Sequence, residues 1–239
     1  MNKKYELTNE KIYWWGKTLY RIRALKDFRD VKKGDLGGFV ESEENLNHLG
    51  NCWIYGNAKV YDDARVRNGA KVYDDAIIRD NARVSCYVVV CDNAIVCNNA
   101  RASGNAIVSG NAEIRDNAIV RDNAEVRDDA RVNDNAKVCN NAEVCDNARV
   151  GGNAYIKENA YIENNNDFLC VGQIGSRDDY TTFYLDQDKN IHVSCGCFNG
   201  TIDKFEKAVE KTHGDNEYGK QYSLAIEFTR KHFELQRGE

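Results

Sequence analysis

Proline is absent from the 239 residues, methionine occurs once and histidine four times. Basic residues are in no surplus. Net charge is −5, so no global positive field points to nucleic acid. No run of about 18 apolar residues could span a membrane. The opening stretch MNKKYELTNEKIYWW carries too much charge for a secretory leader. These absences predict a cytoplasmic protein with no membrane span and no strong nucleic-acid signal. The nine cysteines lack the usual CxxC spacing, and Cys195-Gly-Cys197 is too tight for a metal or redox pair. Reduced thiols are the expectation, with no metal and no cofactor.

What is present is repetition. From Ile54 to Ile162 every sixth residue is Val or Ile except Ala102, giving 19 hexads in one phase. Position five of the hexad is Ala in 17 of them, and position four is Asn in 14. A six-residue period fits neither a helix nor a coiled coil. It suits a short strand plus a corner. The aliphatic residue favours the strand and points inward, Ala fits the bend, and Asn, Asp and Gly tolerate the corner backbone.

An aliphatic residue followed four places later by a small one resembles the hexapeptide repeat of left-handed parallel β-helices. The resemblance covers residues 54 to about 165. It implies three hexads per triangular coil and thus a mainly β, left-handed parallel β-helix of about six coils. At strand spacings of about 4.8 Å the prism would be about 30 Å long. Residues 1–53 are expected to form an N-terminal β cap, 54–165 the β-helix, and 166–239 a small C-terminal α+β module. Such prisms need capped ends, because an open end leaves unpaired strand edges.

Residues 18 apart stack, so each face can be read separately. One face turns Arg65, Arg67, Arg83, Arg101, Arg121, Lys137 and Lys157 outward with no acid among them. Two readings stay open: a stripe for phosphate, nucleotide or an acidic partner, or solvated charges paired with corner residues such as Asp62, Asp80, Asp116 and Asp134. A second face shows Trp53, Tyr55, Tyr73, Val89, Cys91 and Ile107 in its first half. The third adds Tyr61, Ile77, Ile95 and Cys97. Tyr55, Tyr73, Ile77, Val89, Ile95 and Ile107 are expected to form an oligomer interface, a homotrimer by the resemblance, with a partner-binding surface as the competing reading.

The N-terminal stretch alternates like two or three short strands, and VKKGDLGGFVESEENL reads as turns. Trp14, Trp15, Tyr20 and Leu25 are the expected cap core. Near the C-terminus, DYTTFYLDQDKNIHVSCGC reads as a hairpin turning at Asp186–Asn190. A helix follows with Thr201 near its N-cap and Gly214 at its end, then a second from about Glu217 to Phe233. SCGCFNGT reads as a strand-to-helix turn with a weak capacity for an anion. GDLGGFVESEENL followed by NARV-type hexads, and IGSRDDYTTFY with VSCGCFNGTIDKFEKAVEKTHG, resemble uncharacterised phage and prophage proteins of bacteria, which would place the chain in a bacterial host's cytoplasm.

Three functions compete. Many proteins with this helix are acyltransferases using acyl-CoA or acyl carrier protein and a catalytic His. Here His48, His192, His213 and His232 all lie outside the hexads, and no loop interrupts them. A structural or assembly scaffold needs only the prism. The reading taken is a non-catalytic binding protein for a host protein or a small anionic ligand. Counter-defence is its concrete version, by inhibiting a host immune protein or sequestering a nucleotide signal with arginine forks.

Overall fold

The computed structural model describes residues 3–237. Strands β1 (Tyr5–Trp14) and β2 (Lys17–Ala24) form an antiparallel hairpin. Its two-residue turn holds Trp15 at φ 47° and Gly16 at φ 78°. A tight turn with both central residues at positive φ matches the twist of the flanking strands. Trp15 is therefore a turn residue and 83% exposed, not part of the cap core. Trp14, Tyr20 and Leu25 are half-buried. Buried Tyr5, Ile22, Ala24 and Val31 fill the cap core against Trp53, with Leu19 in a smaller cluster beside Phe39 and Tyr61.

Strand β3 (Leu36–Val40) lies in the segment expected as turns. It pairs antiparallel with β2 and parallel with Lys59–Val60, joining the cap to the prism in one sheet. Its double glycine permits this fit. A Cβ on Gly38 would meet the Ala58 carbonyl oxygen at 2.5 Å, and one on Gly37 would meet that of Ile54 at 2.6 Å.

Nineteen two-residue strands follow, β4 (Trp53–Ile54) through β22 (Tyr161–Ile162). They stack in parallel into three sheets. The first continues from β3, the second begins at β4, and the third runs from Arg65–Val66 to Tyr155–Ile156. The prism has about seven turns rather than six. The extra turn holds Val40, beside Val60, and Leu46, bridged to Val66. From Leu46 to Ile54 is eight residues rather than six, which hides this turn from the hexad phase.

Position-one side chains from Ile54 to Ile162 are fully buried, and so are the position-five residues from Ala58 to Ala154, with Ala160 1% exposed; Asn166, the last of them, is exposed. Each buried Val or Ile contributes roughly 1.5–3 kcal/mol before chain entropy is subtracted. At the corners the positive φ falls on position three, often Asp, rather than on the Asn at position four; Asp62, Asp80, Asp116 and Asp134 lie at φ 55°, 60°, 58° and 57°. Those carboxylates also accept a backbone N–H from the next turn, as Asp92 does from Gly110 at 2.8 Å and Asp134 from Gly152 at 2.8 Å. The position-four asparagines form amide ladders, Asn105 Nδ2 donating to Asn123 Oδ1 at 3.0 Å and Asn123 to Asn141 at 3.2 Å.

The far end is closed by a four-stranded antiparallel sheet: β23 (Phe168–Ile174), β24 (Asp179–Leu185), β25 (Ile191–Cys195) and β26 (Phe198–Thr201). Helices α1 (Ile202–His213) and α2 (Glu217–Arg237) follow. Residues along β24 alternate. Tyr184 joins the prism core, and Thr182 Oγ1 accepts the Tyr155 N–H at 3.0 Å. Phe183 and Leu185 pack instead with Phe205, Val209, Tyr222, Ile226 and Phe233 of the helices. The SCGC segment turns between β25 and β26, so it is not a strand-to-helix turn. No helix among the described residues is long and apolar enough to cross a membrane.

Candidate functional site: a basic groove on the third sheet

The outward residues of the third sheet separate into two halves. In the first, Arg65, Arg83 and Arg101 stand in direct register on adjacent strands. Like charges placed opposite each other on neighbouring strands are destabilising. Among the described residues Arg65 reaches only Glu44, at 3.9 Å. Among the described residues, Arg67, Arg83 and Arg101 make no ion pair. These four arginines line an open groove of about 550 Å³, with Ser85, Ser103 and Asn68 supplying neutral donors and acceptors. A guanidinium offers five N–H donors in a planar fork that suits phosphate or carboxylate oxygens.

The second half is occupied by its own chemistry. Arg121 pairs with Asp122 at 3.1 Å and donates to the Tyr155 hydroxyl at 3.0 Å. Lys157 and Lys137 lie 3.9 and 5.5 Å from the Tyr155 ring centroid, the range of cation–π attraction. Burial raises the Tyr155 phenol above its ordinary value, with the adjacent Cys139 adding to the shift and the Arg121 guanidinium opposing it. The seven-residue stripe is thus four residues over a groove and three around a tyrosine. Two of the corner acids offered as partners, Asp80 and Asp116, instead form ion pairs with their sequence neighbours Arg79, at 2.7 Å, and Arg115, at 3.8 Å.

The apolar patch also divides. Tyr55 stacks on Tyr73 at 4.3 Å, and its hydroxyl donates to Asp30 at 3.0 Å. Ile77 packs against the cap cluster of Leu19, Phe39 and Tyr61. Trp53, Tyr61 and Cys97, expected on the outside, are buried. Val89 and Ile107 stand side by side on the second sheet, Ile95 lies on the first, and Ile107 is 38% exposed.

The histidines lie away from the groove's lining. His48 stacks on Tyr5, its Nδ1 accepts the Lys4 N–H at 3.3 Å, and its Nε2 faces Glu43 at 3.5 Å. His192 Nε2 lies 2.9 Å from the Asp186 carboxylate. His213 lines a cavity of about 310 Å³ in the C-terminal module, with Arg177, Cys195 and Tyr222. There the Tyr222 phenol is pushed up to about 12 by burial and by its contact with Cys195. Among the described residues no group of three or more His, Cys, Asp or Glu could hold a metal ion.

No family model matches the chain. It is similar to the protein named uncharacterized acetyltransferase YdcK of Escherichia coli (strain K12), at 45% identity over 47 residues. That match takes in 19% of this chain and 14% of the relative. The fold and the match fit the hexapeptide-repeat β-helix superfamily. Neither carries the resemblance to phage and prophage proteins.

Proposed function

We propose that the protein binds a phosphorylated small molecule in the groove of Arg65, Arg67, Arg83 and Arg101. The observation that carries this reading is the column of three arginines in register without a close carboxylate. Bound phosphate would relieve their repulsion and supply the missing acceptors. Native mass spectrometry of protein purified gently from bacterial cells tests the proposal. A retained phosphate-bearing adduct that disappears in Arg83→Glu/Arg101→Glu supports it, and an adduct indifferent to those changes contradicts it.

A second reading is acyl transfer, favoured by the match to a protein named as an acetyltransferase. The groove's ligand would then be an acyl-CoA, whose phosphates suit the same guanidinium forks. The His213 imidazole borders a different cavity, in the C-terminal module, so donor and base would have to meet through another subunit or another residue. Release of CoA from acetyl-CoA in the presence of candidate acceptors, followed by chromatography, separates this reading from simple binding. A phage setting, with a nucleotide signal of host immunity as the sequestered ligand, is a narrower form of the binding reading. Trimer formation through Val89, Ile95 and Ile107 also belongs to this proposal, and the same native mass spectrum reads the subunit count.

A further inference from the structure

A second cavity lies where the prism meets the C-terminal module. It has a volume of about 360 Å³, within the range of small-molecule sites. Lys137, Asn153 and Tyr155 line it from the last turns of the prism, and Asp179, Tyr180 and Ser194 line it from the module. The site exists only because the module's sheet is laid across the prism's end.

Three of its polar groups have unused capacity. Ser194 is 2% exposed, and its hydroxyl has no hydrogen-bond partner among the described residues. A buried hydroxyl left unsatisfied is costly, and an occupant with a polar group would remove that cost. Lys137 makes no ion pair among the described residues; its ammonium lies 5.5 Å from the Tyr155 ring centroid. Asp179 makes none either, its carboxylate accepting only the N–H of Tyr180, at 2.7 Å. The two opposite charges border one cavity from different parts of the chain without pairing with each other.

We propose that this junction cavity binds a small zwitterion of the α-amino-acid class. The ligand's carboxylate pairs with Lys137 and its ammonium with Asp179. Ser194 bonds a polar group of the ligand, and Tyr155 and Tyr180 provide aromatic wall. A ligand with only a negative charge would satisfy Lys137 and leave Asp179 opposed, so this site differs in chemistry from the arginine groove. Its occupancy does not depend on what that groove holds.

The test is thermal unfolding of the full chain with each of the standard L-amino acids at about 10 mM, a concentration at which even a weak ligand stabilises the folded state by mass action. At least one amino acid is expected to raise Tm, while its N-acetyl and carboxamide derivatives do not. Lys137→Gln and Asp179→Asn should each abolish the shift while leaving the unliganded Tm unchanged. Ser194→Ala should weaken the apparent affinity by about tenfold, as expected for one lost hydrogen bond. The proposal is overturned if no amino acid shifts Tm, if the shift survives either charge substitution, or if the N-acetyl and carboxamide forms bind equally well.

Discussion

The two halves of the third sheet carry the same sign of charge on the same repeat, yet they are different objects. Around Tyr155, Arg121 has a phenol and an adjacent aspartate and Lys157 lies over the aromatic ring, while Lys137, 5.5 Å from that ring, keeps its ammonium without an ion pair among the described residues. Around Ala102, Arg65, Arg83 and Arg101 have mainly one another. Unspent hydrogen-bonding capacity therefore identifies a candidate site better than a count of basic residues. The repeat makes the comparison unusually clean, because backbone, spacing and burial beneath the two halves are nearly identical.

The strand between the halves, Ile119–Val120, gives the largest expected effect. Val120→Asp places an unpaired charge in the sealed core and should destabilise the fold by about 3–5 kcal/mol, read as a fall in denaturant midpoint. An equal effect from Arg101→Asp, on the outside of the neighbouring strand, would contradict the assignment of inner and outer faces.

Ligand affinity should separate the halves next. Arg83→Glu/Arg101→Glu is expected to weaken binding of a phosphorylated ligand by at least about 100-fold, or about 2.8 kcal/mol. Arg121→Glu/Lys157→Glu should cost less than about threefold, because those groups already have partners. Equal losses would merge the halves into one diffuse field.

The unliganded protein should show the reverse preference. Arg83→Gln removes the central charge of the column and is expected to stabilise by about 0.5 kcal/mol at low salt, with the gain fading as salt is added. Arg121→Gln should destabilise slightly or be neutral, since its ion pair is exposed. Urea titrations at two ionic strengths read both.

Position two of the repeat gives a pH test. Short Cys97 and Cys145 sink out of solvent where longer side chains such as Arg67 and Arg121 reach outward. Burial pushes both thiols up to about 11, above the ordinary thiol value of 9.0. The folded state holds these protons more tightly than the unfolded state. Their contribution is fully present below pH 9 and is lost as pH rises towards about 11. Cys97→Ala/Cys145→Ala should flatten that part of the stability profile, and an unchanged slope would assign the loss to other groups.

Much of the prism was legible because its determinants are local and repeated. Val or Ile in position one, and Ala in position five, each dictate the same burial at every turn. The start was less legible, because the first turn breaks phase between Leu46 and Ile54 and two glycines disguise β3 as a loop. The corner role of Asp was only half visible. Its tolerance of positive φ can be read from residue type, but the carboxylate's bond to the next turn depends on stacking. In the C-terminal module, both helices and the Asp186–Asn190 turn follow from apolar spacing and turn residues. Strands β23 and β26 escaped because FLCVGQI and FNGT lack clean alternation and depend on tertiary pairing. The basic column was readable as a column. Which members find a partner was only partly so: Asp122 adjoins Arg121 in sequence, but Tyr155 and Glu44 reach the column through three-dimensional neighbours.

The most direct measurement is a calorimetric titration of the wild-type chain with pyrophosphate, ATP and CoA at low and moderate salt. The arginine groove predicts saturable binding of at least one of them, weakening as salt rises and missing in Arg83→Glu/Arg101→Glu. Absence of binding by all three at low salt, or binding that the double substitution leaves intact, would contradict the groove as a phosphate site.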